Sequence, residues 1–400
     1  MDKQELKLKT ARLFLAASIV SASAFLAAGY MLPPVRNGNQ ASPQTVLSGE
    51  AGLNTVRIQG GTGEETAIRI AQIAFPGYGR GNAPGAVILV PDGDWRLAVL
   101  ATQLMKAVDG PVLYIKRSRL PRETLDEIRR LKPGGITGDG MIKAVILGNV
   151  STQIPRQLAE AGFKNRVLRA GSAGEMAKTV DDYKSSIGLG YCRSIMAVPE
   201  EGPPGYGLLA GAWCAYSGDT IVFVSKNGIS DTVRSIFSRR ALRPYIYLLG
   251  PEDAISRHTA SEISKFAHTR RMPGRDPYSM SAAFARFRDY GGDAGWIIGK
   301  SAREFGWGVS GAGHGFIVAN PAGWQGVASA CIFQRKGIPG PVLFVEKDII
   351  PPAVEEYFAS VRPAAVSLQE RIYNHAWIVG GAGGFSQGVR NRLEELLEVK

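Results

Sequence analysis

Three times between residues 86 and 380 the chain returns to one order of apolar and polar positions. Each round opens with a continuous apolar run: AVILVP at 86–91, SIMAVP at 194–199 or GFIVA at 315–319. A Gly/Pro-rich turn follows, then apolar residues at helical spacing, as in Leu97, Leu100, Leu104 and Val108. A second run ends at Ile115, Val224 or Val345 and leads into a helical pattern, LPRETLDEIRRL, ISDTVRSIFSRR or IPPAVEEYFASV. A third run ends on glycine, at Gly148, Gly250 or Gly380, and an amphipathic helix follows it. Uninterrupted β-rich runs alternating with helices predict parallel sheets covered on both faces, joined by right-handed crossovers. The expected fold class is therefore α/β, with three tandem Rossmann-like modules.

Weaker heads precede the first runs: VRIQGGTGEETAIRIAQIAF, VLRAGSAGEMAKTVDDY and TRRMPGRDPYSMSAAFARFRDY. Each combines a short strand-like or basic segment, a glycine turn and a helix. These heads set the expected modules at 56–166, 167–269 and 270–400, the third holding an extra stretch at 291–313. Residues 33–55 are rich in Pro, Gly, Asn, Gln and Ser without periodicity, which predicts a linker.

Residues 1–32 stand apart. Lys3, Lys7, Lys9 and Arg12 precede an uncharged run from Leu13 to Leu32, long enough for a bilayer-spanning helix. It reads as an uncleaved signal-anchor, or as a cleavable signal with Ala22-Ser23-Ala24 at the processing site. Either reading puts the cations inside and exports the body, membrane-anchored through residues 13–32 or secreted to the wall.

Composition narrows the chemistry. At 45% hydrophobic and 20% charged, the 400 residues are globular in character, and the net charge of +12 is spread without long basic blocks. That distribution argues against a nucleic-acid tail; an exported protein so charged meets anionic lipids or wall polymers first. Cys192, Cys214 and Cys331 form no C-x-x-C pair, and His258, His268, His314 and His375 have no ligand spacing, so no metal is expected. The GGAGGFS string from Gly380 is the nearest approach to a dinucleotide fingerprint, without the third glycine or the acid the motif needs. No cofactor is expected.

Several motifs carry a resemblance. Arg57-Ile58-Gln59-Gly60 with Thr66-Ala67, and Arg271, Gly274, Asp276 and Tyr278, follow a head of the form R-I-x-G-x-D-R-Y-x-T-A. Asp109-Gly110-Pro111-Val112-Leu113 and Gly340-Pro341-Val342-Leu343 follow a G-A-P-I-L-L-like strand, and Ile378-Val379-Gly380-Gly381 a closing I-I-G-G. In these the chain resembles the cell-wall-binding repeat type 2 family, exported proteins of Gram-positive bacteria with three tandem α/β modules. Leu97 stands where the family's D-A-L element has its acid. The resemblance implies a pseudo-threefold arrangement of modules behind the N-terminal hydrophobic helix, with grooves that hold an anionic wall polymer.

The candidate ligand-binding residues follow. Asp94, Trp95, Tyr206 and Trp324 lie in the turn or helix start after the first run; the aromatics either stack on sugar rings or pack between modules. Asp94 with Asp92 also reads as helix capping. Arg57 and Arg271 either engage acidic ligand groups or pair with carboxylates between modules. Gly148, Gly250, Gly380 and Gly381 mark the corners after the third run. No catalytic constellation emerges, so the expected function is that of a non-enzymatic envelope protein binding an anionic polymer. The alternatives are an enzyme acting on envelope glycans or nucleotides at an inter-module cleft, and a protein-interaction scaffold.

Overall fold

A computed structural model describes residues 54–77, 82–290, 305–364, 373–380 and 384–399. The expected anchor, most of the linker, Gly381 and most of the extra stretch at 291–313 lie outside the described residues. Among the described residues no helix is long and apolar enough to cross a membrane.

The architecture is α/β, with three parallel four-stranded sheets. The head strand β1 (Thr55–Ile58) and helix α1 (Gly63–Ala74) lead into β2 (Val87–Pro91), α2 (Trp95–Val108), β3 (Val112–Ile115), α3 (Arg122–Leu131), β4 (Ala144–Leu147) and α4 (Gln153–Glu160). The second round runs β5 (Asn165–Leu168), α5 (Ala173–Ser186), β6 (Ser194–Pro199), α6 (Gly205–Ser217), β7 (Thr220–Val224), α7 (Asp231–Ser238), β8 (Tyr245–Leu248) and α8 (Arg257–Ser264). The third runs β9 (His268–Arg271), α9 (Pro277–Arg286), β10 (Gly315–Ala319), α10 (Trp324–Ala330), β11 (Val342–Phe344), α11 (Pro352–Ser360), β12 (His375–Val379) and α12 (Gln387–Leu397).

Sheet membership cuts across this order. The sheets run β3-β2-β4-β5, β7-β6-β8-β9 and β11-β10-β12-β1. Each head strand thus completes the sheet of the preceding repeat, and the first head strand completes the sheet of the last. The ring closes through parallel pairing of Thr55 with Ala376 and of Ile58 with Val379. Glu394 on α12 reinforces the closure by accepting from the Asn54 N–H at 2.9 Å and from the Thr55 hydroxyl.

Helix packing follows the same cyclic rule. Helices α2, α6 and α10 meet one another; α5 lies on α2 and β7, α9 on α6 and β11, and α1 on α10 and β3. Strands β2, β6 and β10 are buried along their whole length, as their unbroken apolar runs require. Burying them removes apolar surface from water at about 25 cal/mol per Å².

The head helices begin with one device. Thr62, Ser172 and Asp276 accept from the backbone N–H of Glu65, Glu175 and Ser279. The residue three positions on reaches back in return: Glu65 to Gly61 N–H at 2.7 Å, Glu175 to Gly171 at 2.8 Å, Ser279 to Arg275 at 3.1 Å. At α9 the bonds make a capping box, with Asp276 N–H also donating to Ser279 Oγ at 3.3 Å, whereas at α1 and α5 the glutamate reaches one residue further back to the glycine before the cap. The G-P-V-L strands have an equally local cause. A Cβ on Gly110 would stand 1.6 Å from the Ala86 carbonyl oxygen, and one on Gly340 1.7 Å from that of Gly315.

One element departs from expectation. The third central helix ends after Ala330, and the chain tightens into a 3-10 turn over Cys331–Gln334. There the Gln334 amide clamps the Gly340 backbone, donating to its oxygen at 2.7 Å and accepting from its N–H at 2.9 Å.

Candidate functional site

In each sheet the strands end at one edge, where the glycine corners, head-helix starts and central-helix starts gather, as in open α/β folds. Arg57 and Arg271 occupy matching positions on β1 and β9 and do matching work there. Arg57 donates from Nε to the Gly380 carbonyl at 3.1 Å and from Nη2 to that of Phe385 at 3.3 Å. Arg271 donates to the carbonyl of Gly250 and, at 2.7 Å, to that of Ile255. Both tie down the loop between the third strand and its helix. Their partners in these bonds are backbone carbonyls of that loop. Burial lowers the pKa of Arg271 from its ordinary value.

The corner glycines are set by packing. Gly148 has φ +98°, and its Cβ would lie 2.9 Å from Leu97 Cδ1; a Cβ on Gly250 would meet Pro199 Cγ at 2.8 Å. The N–H groups of Gly148 and Gly380 are spent in the sheet, on the carbonyls of Leu168 and Ile58. They are unavailable to cradle an anion.

The aromatic candidates face neighbouring repeats. Trp95 meets Phe223 of β7 edge-on, centroids 5.7 Å apart, while Trp324 meets Tyr114 of β3 at 5.8 Å with the same interplanar angle of 84°. Phe223 and Tyr114 sit one residue before the ends of equivalent strands, so one ring pair is built at two junctions. Tyr206 is buried, which pushes its phenol up to about 12. Arg96 lies over the Trp95 ring at 4.8 Å and donates to the Glu200 carbonyl at 2.7 Å, a contact from the first repeat to the second.

Asp94 caps α2, accepting from Arg96 N–H at 3.0 Å. Asp92 has a different partner: Lys116, at the end of β3, donates to Asp92 and at 2.6 Å to Glu64 at the start of α1. Burial opposes the Glu64 charge, but the Lys116 ammonium and hydrogen bonds outweigh it and hold the carboxyl down at about 2. A carboxyl held so low is a poor proton donor near neutrality.

Two features went unseen in the sequence. Gly384-Phe385-Ser386-Gln387-Gly388 is a G-x-S-x-G string between a strand and a helix, the setting of a nucleophile elbow. Here Ser386 Oγ caps α12, accepting from Val389 N–H at 3.4 Å, and His375 begins β12 at the opposite end of the strand. The other is a sealed polar network on α2, α5 and β7. Arg240 makes a two-pronged pair with Asp181, 2.7 and 3.0 Å, and Lys184 donates to Gly218 and Asp219 carbonyls, Thr220 Oγ1 and Gln103 Oε1. Asp181, Lys184, Thr220 and Gln103 have no solvent exposure. The signal was available: Asp181 and Lys184 fall on the same helical stripe as Ala177 and Val180.

No protein-family model matches the chain, and no curated protein matches it either. Among solved structures it is similar to Cwp6 from Clostridium difficile, with TM-score 0.67 and 14% identity over 86% of this chain and 48% of that one. It is also similar to Cwp8 from Clostridium difficile, with TM-score 0.64 and 14% identity over 86% of this chain and 52% of that one. The chain spans about half the length of these proteins. At this identity the likeness is one of fold alone.

Proposed function

We propose that this protein is a non-enzymatic component of the bacterial cell surface that attaches to an anionic wall polymer. The observation that carries the reading is the likeness of fold to Cwp6 and Cwp8 over 86% of the chain. The head and strand motifs that resemble the cell-wall-binding repeat type 2 family support it, and the run at 13–32 supplies an export route. The basic surface suits a polyanion. Binding of a repeating polymer needs no reactive group, only several modest contacts whose effects multiply.

The test is sedimentation of the full chain with purified Gram-positive walls, before and after extraction of their anionic polymer. Retention that disappears on extraction is the expected result. A chain that fails to sediment with untreated walls overturns the reading.

A further inference from the structure

The three sheet edges are alike in backbone and unlike in charge. The loop after the second strand reads KRSRLPR at 116–122, SKNGISD at 225–231 and EKDIIPP at 346–352. The first carries four cations and no acid, the second one of each, the third one cation and two acids. Resting on the polymer reading above, we propose that the chain engages its ligand at one edge of the three, that of the first repeat. The ligand is a phosphate-bearing chain, and Arg117, Arg119 and Arg169 grip it.

The backbone brings these side chains together. Lys116 N–H donates to the Arg119 carbonyl at 3.1 Å, closing a tight turn that exposes Arg117 and Arg119. Ser151 N–H donates to the Arg117 carbonyl at 2.9 Å, which joins this turn to the corner after β4. Arg169, exposed just past β5, reaches the same corner, donating to the Val150 carbonyl at 3.3 Å. The Asn149 amide holds the corner by donating to the Ala170 carbonyl at 2.9 Å.

Nearby acids do not cancel this charge. Lys116 is occupied by Asp92 and Glu64, and Arg122 has Asp126 at 3.6 Å. Arg117 and Arg119 have no acidic partner among the described residues. Glu123, exposed at the start of α3, is the nearest acid in sequence. Two helix starts add to the field: Pro121 gives α3 no capping side chain, and at α4 Ser151 alone serves the first donors, its Oγ accepting from Gln153 N–H at 3.3 Å and its carbonyl from Ile154 N–H at 3.1 Å. In the second repeat both corresponding helices are capped, by Ser230 and Ser256. Guanidinium forks and free helix N–H groups suit phosphate oxygens better than an ammonium would.

The experiment measures binding of the full chain to end-labelled inorganic polyphosphate across a salt series. Arg117→Glu with Arg119→Glu is expected to weaken binding at least tenfold and to lower the slope of log affinity against log salt by about two. Lys226→Glu and Lys347→Glu, at the other two edges, should change affinity less than twofold. Equal losses at all three edges would show a diffuse field and overturn the assignment. So would equal affinity for polyglutamate, for vesicles of phosphatidylglycerol, or no polyphosphate binding by the unaltered chain. If walls retain the unaltered chain and the Arg117→Glu/Arg119→Glu chain equally, the edge assignment fails while wall attachment stands. If walls retain neither, it is wall attachment that fails.

Discussion

The junction of the first and second repeats and that of the third and first are built on one plan, yet one is polar inside and the other apolar. Gln103 on α2 and Ile332 in the third repeat each stand 13 residues past matching strand positions, Val90 and Ala319, which pair with Tyr114 and Phe344. Asp181 and Lys184 match Ala71 and Ala74 at the same steps past the N-caps Ser172 and Thr62, and Thr220 matches Pro111. The polar set is sealed from solvent; Ala71, Pro111 and Ile332 are buried as well. At the apolar junction the cation is moved to the rim, where Arg130 bonds Glu127 at 2.7 Å and the Phe75 carbonyl at 2.8 Å. The fold does not require the buried charges. What they add is a set of directional bonds that joins α5 to α2 and β7.

The largest effect should come from breaking the network at its one buried anion. Asp181→Ala leaves Arg240 and Lys184 without their carboxylate, and removing one member of a buried pair costs about 3–5 kcal/mol. The check is the urea midpoint at unchanged m. The sharper arm removes all three charges together, as Asp181→Ala, Lys184→Met and Arg240→Leu, imitating the apolar junction. That chain should be as stable as the unaltered one, or more stable by about 1–4 kcal/mol. If it is as weak as Asp181→Ala alone, the polar network is required and the two junctions are not interchangeable.

The reverse exchange is smaller. Ile332→Gln places an amide at a buried position whose junction carries Ala71, Ala74 and Pro111 where the polar one carries Asp181, Lys184 and Thr220, so no side chain there is matched to it. A buried polar group left unpaired costs about 1–3 kcal/mol. A midpoint equal to that of the unaltered chain would show that the apolar junction admits water.

Next comes the half-exposed trio at the first sheet edge, a contrast to the sealed network. Lys116→Met removes the cation that holds Glu64 at about 2. Glu64 is a carboxyl with a lowered folded pKa, so its stabilisation is present above the unfolded value near 4.5 and is lost as pH falls through about 2. The unaltered chain should therefore be the more stable near neutrality, with the gap shrinking as acid is added through that window. The gap will be modest, because solvent screens the pair. A gap that does not change with pH would assign the effect to lost packing.

Much of this was legible in the sequence, and the rest was hidden for physical reasons. The βαβ pattern of each repeat follows from apolar runs and their spacing, and the strand ends fall within a residue of expectation at Ile115, Val224 and Phe344. Sheet membership was not legible. A repeat period says which segments are alike but not where the unit is cut, so pairing of each head strand with the preceding sheet leaves no trace in it. The bonds that Arg57 and Arg271 make to the loop carbonyls could not be foreseen, because no charge pattern announces a backbone acceptor. Trp95 and Trp324 could be placed in turns, but whether a turn faces solvent or the next repeat depends on packing the sequence does not spell out.

The smallest effect concerns the residue that stands where the other repeats have Gly110 and Gly340. In the second repeat this position is Asp219, whose carboxylate turns inward to accept from Trp213 Nε1 at 2.7 Å. Burial raises its pKa, and the bonds from Trp213 and Ser217 with the nearby Lys184 and Lys106 only partly offset the rise. An acid raised on folding stabilises the folded state below its unfolded value, 3.8, and loses that contribution as pH climbs through the folded value. Near neutrality the charge is therefore a burden, one that Asp219→Asn removes while an amide oxygen still accepts from Trp213. The variant should unfold at a slightly higher urea concentration than the unaltered chain at pH 7, with the two midpoints converging as the pH drops toward 3.8. Midpoints separated by the same amount at both pH values would mean that Asp219 is charged in neither state or equally charged in both. In that case the second repeat's departure from glycine would have no electrostatic cost.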